Sequence, residues 1–220
     1  ANFLAAAEES GIKLNPDMNG KSQEGVGNYQ ITTHKGQRMS SSRAYLWPVM
    51  SRSNLTVVIN ALASKILIKE NKAYGVEYLK SGSIHKVYAK REVILSAGSI
   101  NSPQLLQLSG IGPKKILRDA DIQMIHESPA VGQNLQDHLG VSYFYKSKVP
   151  TLNDQLRPVL GKIYQGIKYI LTRSGPLSLS VNQSGGFIKT RDGLSKPNIQ
   201  LYFSPVSYSL ESPDRRAMLS

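Results

Sequence analysis

Cysteine does not occur in this 220-residue chain, which rules out disulfides, thiol catalysis and cysteine-ligated metal. Long apolar runs are missing as well, since no stretch approaches the ~20 residues that a membrane-spanning helix requires. The opening residues Ala1-Asn2-Phe3-Leu4 have no basic flank and run into Glu8 and Glu9, unlike a signal peptide. There is no initiator Met, and Arg215-Arg216-Ala217-Met218-Leu219-Ser220 does not read as a terminus, so an internal piece of a longer protein is expected. The lack of cysteine leans toward the cytoplasm, with room for peripheral attachment to a membrane. Dense basic runs are also missing. The net charge is +12, yet Lys65, Lys69, Lys80, Lys86, Lys114, Lys115 and their like are scattered, several of them at turns. Neither a binding tail nor an RNA-reading alternation of basic and aromatic residues is present. A basic, solvated surface without a nucleic-acid partner is the expectation.

What is present suffices for a core: 40% of the residues are hydrophobic, too many for a disordered chain. Three zones follow along the sequence. The first opens with a helix over Asn2–Glu9. It continues through the loop Asn15-Pro16-Asp17-Met18-Asn19-Gly20 to a second short helix, Arg43–Leu46, capped by Ser40-Ser41-Ser42 and stopped near Trp47 by Pro48. The second zone is rich in β-branched residues and reads as strands over Leu55–Ile59, Ser64–Lys69, Tyr74–Leu79, His85–Ala89 and Val93–Ser96. Glu70-Asn71-Lys72 and Lys80-Ser81-Gly82 supply turns, and a further helix is expected near Pro113–Ala120. The third zone holds an amphipathic helix at Val159–Thr172, with Leu160, Ile163, Ile167, Ile170 and Leu171 near helical spacing. Strand candidates follow at Gly186–Thr190 and Asn198–Phe203.

The most informative stretch is Gly98–Gly112. After Val93-Ile94-Leu95 the chain passes through Ser96, Ala97, Gly98 and Ser99. It then enters a helix whose start is marked by Ser102 and Pro103. Leu105, Leu106 and Leu108 are expected on its buried face, and Ser109-Gly110 at its stop. A strand, a turn of small residues and a helix can hold a flat cofactor against backbone; packing glycines alone would give the same pattern. Other motifs fail. Gly20-Lys21-Ser22 has the tail of a phosphate loop, but Asn15 stands where its first glycine belongs. Gly110-Ile111-Gly112 is followed by Pro113 and ends a helix instead of opening one. The 4 histidines have no metal-ligand spacing, so no metal is expected. Asp137-His138, adjacent in sequence, reads as a loop brace more readily than as an acid/base pair.

Gly98, Ser99, Ser102, Pro103, Leu105-Leu106, Ser109, Gly110, Ile111 and Gly112 resemble the second signature of the glucose–methanol–choline oxidoreductases, flavoproteins that oxidise alcohols. Flanking blocks agree in order: Gly36-Gln37-Arg38, Ser41-Ser42-Arg43-Ala44-Tyr45-Leu46, Arg91–Gly98 and Val131–His138. The third zone, through Asn182–Ile188 and Pro197–Pro205, is most similar to bacterial choline-dehydrogenase-like members.

The resemblance implies a mixed α/β fold: part of a Rossmann-type FAD-binding domain and the start of an antiparallel-sheet substrate domain. The divisions are 1–53 (an FAD-proximal and substrate-domain segment), 54–139 (FAD-binding) and 140–220 (substrate-binding). It implies FAD as cofactor, a small primary alcohol as substrate, and oxygen, a quinone or another acceptor as electron sink. Hydride passes from the alcohol carbon to the flavin. No catalytic residue is carried over, because the family's histidine is expected beyond Ser220 and its pyrophosphate loop is not matched in Ala1–Gly20. Ala63, Ala97, Gly98, Asn134 and His138 are carried over as cofactor contacts, with Asn182 and Gln183 as substrate-wall candidates. Choline would want a carboxylate where Gln183 stands, which favours another primary alcohol. A lyase of the same family and a non-enzymatic basic binding module are the competing readings.

Overall fold

The structure is a computed structural model that describes residues 2–206. The first segment carries α1 (Asn2–Glu9), β1 (Gly25–Asn28), β2 (Thr33–His34) and β3 (Gln37–Arg38), then a π-helical turn at Ser42–Leu46 and a 3-10 turn at Trp47–Val49. The middle carries β4 (Leu62–Lys69), β5 (Lys72–Lys80), β6 (Ser83–Tyr88), α2 (Gly98–Leu108), β7 (Ile111–Gly112), α3 (Lys114–Asp119) and β8 (His126–Glu127). The last carries α4 (Leu152–Leu156), α5 (Val159–Thr172), a 3-10 turn at Pro176–Ser178, β9 (Ser184–Ile188) and β10 (Ile199–Phe203). The chain forms two compact units. One joins Ala1–Val49 to Ser142–Ser220, of which 2–49 and 142–206 are described; the other is Met50–Val141.

In the middle unit β4, β5 and β6 form an antiparallel meander. Both connections are two-residue turns with positive φ at each central residue: Glu70 (50°) and Asn71 (60°), then Ser81 (50°) and Gly82 (78°). That twist matches the right-handed twist of the flanking strands. Two expected strands do not form. Leu55–Ile59 and Val93–Ser96 run without a ladder: among the described residues no strand pairs with them, and apolar composition alone does not make a strand.

The helix after Gly98 also differs from expectation. Ser102 does not cap it; its hydroxyl reaches back to accept the Ala97 N–H at 3.1 Å. The helix therefore begins at Gly98, which leaves Pro103 inside it and removes one hydrogen bond from its second turn. Its buried face is Leu105 and Ser109, one turn apart, whereas Leu108 is exposed. Ser109 donates to Leu105 O at 2.6 Å and accepts the Ile66 N–H of β4 at 2.8 Å. Among the described residues β4 pairs only with β5, so this hydroxyl satisfies a backbone donor on the strand's other edge. Gly110 (φ 85°) then ends the helix, and Leu117 of α3 is fully buried beneath.

In the first unit β9 is the centre of a three-stranded antiparallel sheet, β1–β9–β10. Val26 is fully buried, and Phe203 of β10 stacks on Phe3 of α1 with centroids 5.0 Å apart. Helix α5 spans the expected residues but turns the opposite way from an ordinary amphipathic helix. Leu160 (80%), Leu171 (76%) and Ile170 (66%) lie open, and the buried residue is Gln165. The polar side is held down by Tyr169, whose hydroxyl donates to Gly36 O at 3.0 Å. Gly36 must be glycine, since its φ is 69° and a Cβ would collide with the Arg173 carbonyl. The short helix at Arg43–Leu46 is a single wide turn in which Ser40 Oγ accepts the Arg43 N–H at 3.2 Å.

Two outcomes follow from these contacts. Ser109→Ala leaves the buried Ile66 N–H unsatisfied and is expected to cost about 1–3 kcal/mol in denaturant unfolding. Helix α4 is held by a capping box in which Asp154 accepts the Thr151 N–H at 2.6 Å. The backbone and hydroxyl hydrogen bonds from Thr151 hold the Asp154 carboxyl below its ordinary range. Its stabilisation is complete above that ordinary range and is lost as pH falls through the lowered value. The protection factors of the α4 amides, that is their exchange corrected for the intrinsic pH dependence, should therefore fall on acidification in the parent and change much less in Asp154→Asn.

Candidate functional site

The middle unit has a cavity of about 300 Å³ between the β4–β5 hairpin, residues 93–97 and the inner face of α2. Its walls include Ala63 of β4, Val76 of β5, Ile94, Ala97 and Leu105. Ala63 and Ala97 are distant in sequence and were expected to touch one cofactor; they face the same space. The tertiary cause is the Ser109 link, which fixes α2 against β4 and leaves the segment leading into α2 along the cavity edge. Small side chains at both positions keep the cavity open, and its walls are predominantly apolar, as a flat heterocycle requires.

Gly98 stands at the mouth of α2 with φ 88°, and a Cβ there would meet nothing within 4 Å. Its glycine requirement is conformational in this structure, not a matter of collision. Asn134 and His138 do not line the cavity. They lie on an exposed loop whose start is tied to α2 by Gln107, which donates to Val131 O at 3.2 Å. Asn134 takes the left-handed conformation at φ 55°. The Asp137 carboxylate accepts the His138 backbone N–H at 2.8 Å, a local brace that engages no imidazole nitrogen. A second apolar cavity of about 440 Å³ shares Ile66, Val93 and Leu95 and adds His126. Among the described residues no three His, Asp or Glu side chains come together as a metal site, and no helix is long and apolar enough to cross a membrane.

In the other unit Asn182 and Gln183 are half-buried just ahead of β9. The Gln183 carbonyl accepts the Tyr29 N–H at 3.0 Å, which extends the β1–β9 ladder by one residue. Tyr29 is the polar group that sequence reading missed. Its hydroxyl donates to Leu201 O at 2.6 Å, and Gln200 Nε2 donates to it at 3.5 Å. Burial pushes the phenol above its ordinary value, with Tyr202 adding to the rise and the Gln200 hydrogen bond opposing it. Tyr29 therefore stays a donor at neutral pH. The signal that could have found it is the Gly185-Gly186 pair: a Cβ at Gly185 would collide with the Tyr29 ring.

An α/β chain with small residues around an apolar cavity at the turn into α2 has counterparts among known proteins. Residues 1–140 match the family model of the GMC oxidoreductases, and the chain belongs to that family. Mitochondrial choline dehydrogenase of Mus musculus is 45% identical over 204 residues, covering 92% of this chain and 34% of that protein. Oxygen-dependent choline dehydrogenase of Photobacterium profundum is 46% identical over 206 residues, 93% of this chain and 36% of that protein. Among solved structures, an FAD-dependent oxidoreductase from Chaetomium thermophilum superposes with a TM-score of 0.75 at 32% identity, over 84% of this chain and 34% of that one. A formate oxidase superposes with a TM-score of 0.80 at 27% identity, over 93% and 40%. The chain thus spans about a third of the length of the curated relatives it matches.

Replacing Gly98 with Ala should cost about 1–2 kcal/mol through the left-handed backbone alone. Gly110→Ala should cost more, because its Cβ would also press on the Gln123 carbonyl. Thermal unfolding of the two variants, compared side by side, checks the order.

Proposed function

We propose that this chain is part of an FAD-dependent oxidoreductase that oxidises a primary alcohol to an aldehyde. The reading rests on family membership together with one observation: Ala63 and Ala97 border a single apolar cavity at the entrance to α2. In this proposal Met50–Val141 belongs to the FAD-binding domain, and Ala1–Val49 with Ser142–Ser220 to the substrate domain. The main chain at Ala63 and the turn Ala97-Gly98 hold the adenosine side of the cofactor, and Asn134 and His138 brace the loop that follows. When bound, the flavin supplies the hydride acceptor for the alcohol carbon. The residues of this chain supply position: two alanines that admit a flat ring, a glycine that permits the turn, and apolar walls that exclude water. Asn182 and Gln183 stand in the substrate wall. Because Gln183 is a neutral amide, a primary alcohol other than choline is the better substrate. Oxygen or a quinone serves as the acceptor, in the cytoplasm or at a membrane surface.

The full-length protein should purify yellow, and its visible flavin band should bleach when a primary alcohol is added anaerobically. Ala63→Trp and Ala97→Leu should each weaken flavin retention by about tenfold or more while leaving the far-ultraviolet circular dichroism unchanged. A colourless full-length protein would overturn the cofactor assignment. Turnover of an alcohol substrate without any flavin bleaching would instead indicate a lyase on the same scaffold.

A further inference from the structure

The meander β4–β5–β6 has faces and edges of unlike character. Ala63, Ile66 and Val76 turn one face to the cavity. The cross-strand register sets three rows on the opposite face: Leu62–Leu79–Ile84, Lys65–Glu77–Lys86 and Leu67–Gly75–Tyr88. Leu62 (68%), Ile84 (66%) and Tyr88 (65%) lie open there. The edge of β4 is met by α2, where Ser109 accepts the Ile66 N–H. The edge of β6 meets no strand among the described residues. Lys80 and Ser83 close the turn into β6, and the Ala89 N–H donates to Tyr74 O at 2.9 Å. Alternation between these points turns the backbone of Ser83, His85 and Val87 toward β5, and the N–H and C=O groups of Ile84, Lys86 and Tyr88 outward. The meander is also basic, with Lys65, Lys69, Lys72, Lys80 and Lys86 against Glu70 and Glu77. Glu77 already accepts the Ser64 hydroxyl at 3.2 Å and pairs with Lys86 at 3.8 Å. Among the described residues no ion pair engages the other lysines of the meander.

We propose that the open edge of β6 is a docking site for an extended acidic segment of a partner protein, which adds to the meander as an antiparallel strand. The outward N–H and C=O groups of Ile84, Lys86 and Tyr88 supply the ladder. Residues directly opposite these three share their face, so the segment reads apolar–x–acidic–x–apolar. Its carboxylate stands beside Lys86, and its apolar side chains pack on Ile84 and Tyr88 and extend the Leu62–Leu79–Ile84 row. Charge selects this occupant. A second copy would set one basic meander against another and, in the centred antiparallel register, Lys86 against Lys86. Like charges directly opposite are destabilising. A lysine on an open edge therefore opposes self-pairing and leaves the edge to a chain of opposite sign. The surface lies wholly within Met50–Val141 and is independent of the alcohol-oxidising reading.

The test uses the full-length protein and two fluorescein-labelled peptides, Ser-Val-Thr-Glu-Thr-Val-Ser and its analogue with lysine in place of glutamate. Binding is read by fluorescence anisotropy. The parent should bind the glutamate peptide about fivefold more tightly than the lysine peptide. Lys86→Glu should reverse that order, a result that lost folding cannot mimic. N-methylation of the glutamate and both valines removes the peptide N–H groups turned toward β6 and should abolish binding to the parent. No binding of the glutamate peptide, equal affinity for the two peptides, or an order that Lys86→Glu leaves unchanged would overturn the proposal. Binding that survives N-methylation would overturn strand addition, and its displacement by oligo(dT) would mark a general polyanion surface. A parent dimer that Lys86→Pro dissociates in sedimentation would give the edge to a second copy and overturn the acidic partner.

Discussion

The Ser109 hydroxyl donates to the carbonyl one turn back in α2 and accepts the backbone N–H of Ile66 on the edge of β4. It is 1% exposed, so neither partner has water to replace it. The consequence reaches past these atoms. With α2 fixed against the β4–β5 hairpin, Leu105 faces Ile66 and Val76 across the apolar cavity, and the residues before α2 run along its rim. Ala63 and Ala97 border one space because this contact sets their separation. The middle unit therefore depends on a small polar side chain in a position that an apolar residue of similar size could fill but could not satisfy.

The other unit is organised by absence of side chains. Gly27, Gly185 and Gly186 occupy adjoining places in the register of β1 and β9. Tyr29 uses the room above Gly185 to span the sheet and bond to β10. Helix α5 shows the same logic at the level of an element. Its polar side holds Gln165 in the interior and Tyr169 against Gly36, while its aliphatic arc lies open. Hydrophobic periodicity states that a helix has an apolar stripe; it does not state which neighbour that stripe meets.

Much of the architecture was legible in the sequence, and the misses have physical causes. The meander, α1, α3 and α5 were readable because β-branched runs, two-residue turns and helical spacing are local signals. Leu55–Ile59 and Val93–Ser96 carry the same apolar signal but lack a pairing partner, which no local pattern can reveal. Ser102 and Pro103 marked a reasonable helix start, yet Ser102 bonds backward to Ala97 and the helix opens earlier. Leu108 was expected in the buried face and is exposed, since Ser109 takes the contact with β4. In the candidate site the small residues around Gly98 were visible from composition and order. Tyr29, Gln200 and Tyr202 were not, because their association arises only when β1, β9 and β10 are set in register.

By itself the sequence determined the family, the turn chemistry and the positions that must be small, since steric limits on φ and on side-chain volume act residue by residue. Only the tertiary structure decided which of those small positions share a cavity, which face of α5 is open, and which polar groups stand together on the β1–β9–β10 sheet. Those outcomes depend on pairing between residues far apart in the chain, such as Ile66 with Ser109 and Tyr29 with Leu201. A hydrogen bond of that kind has no trace in either segment alone.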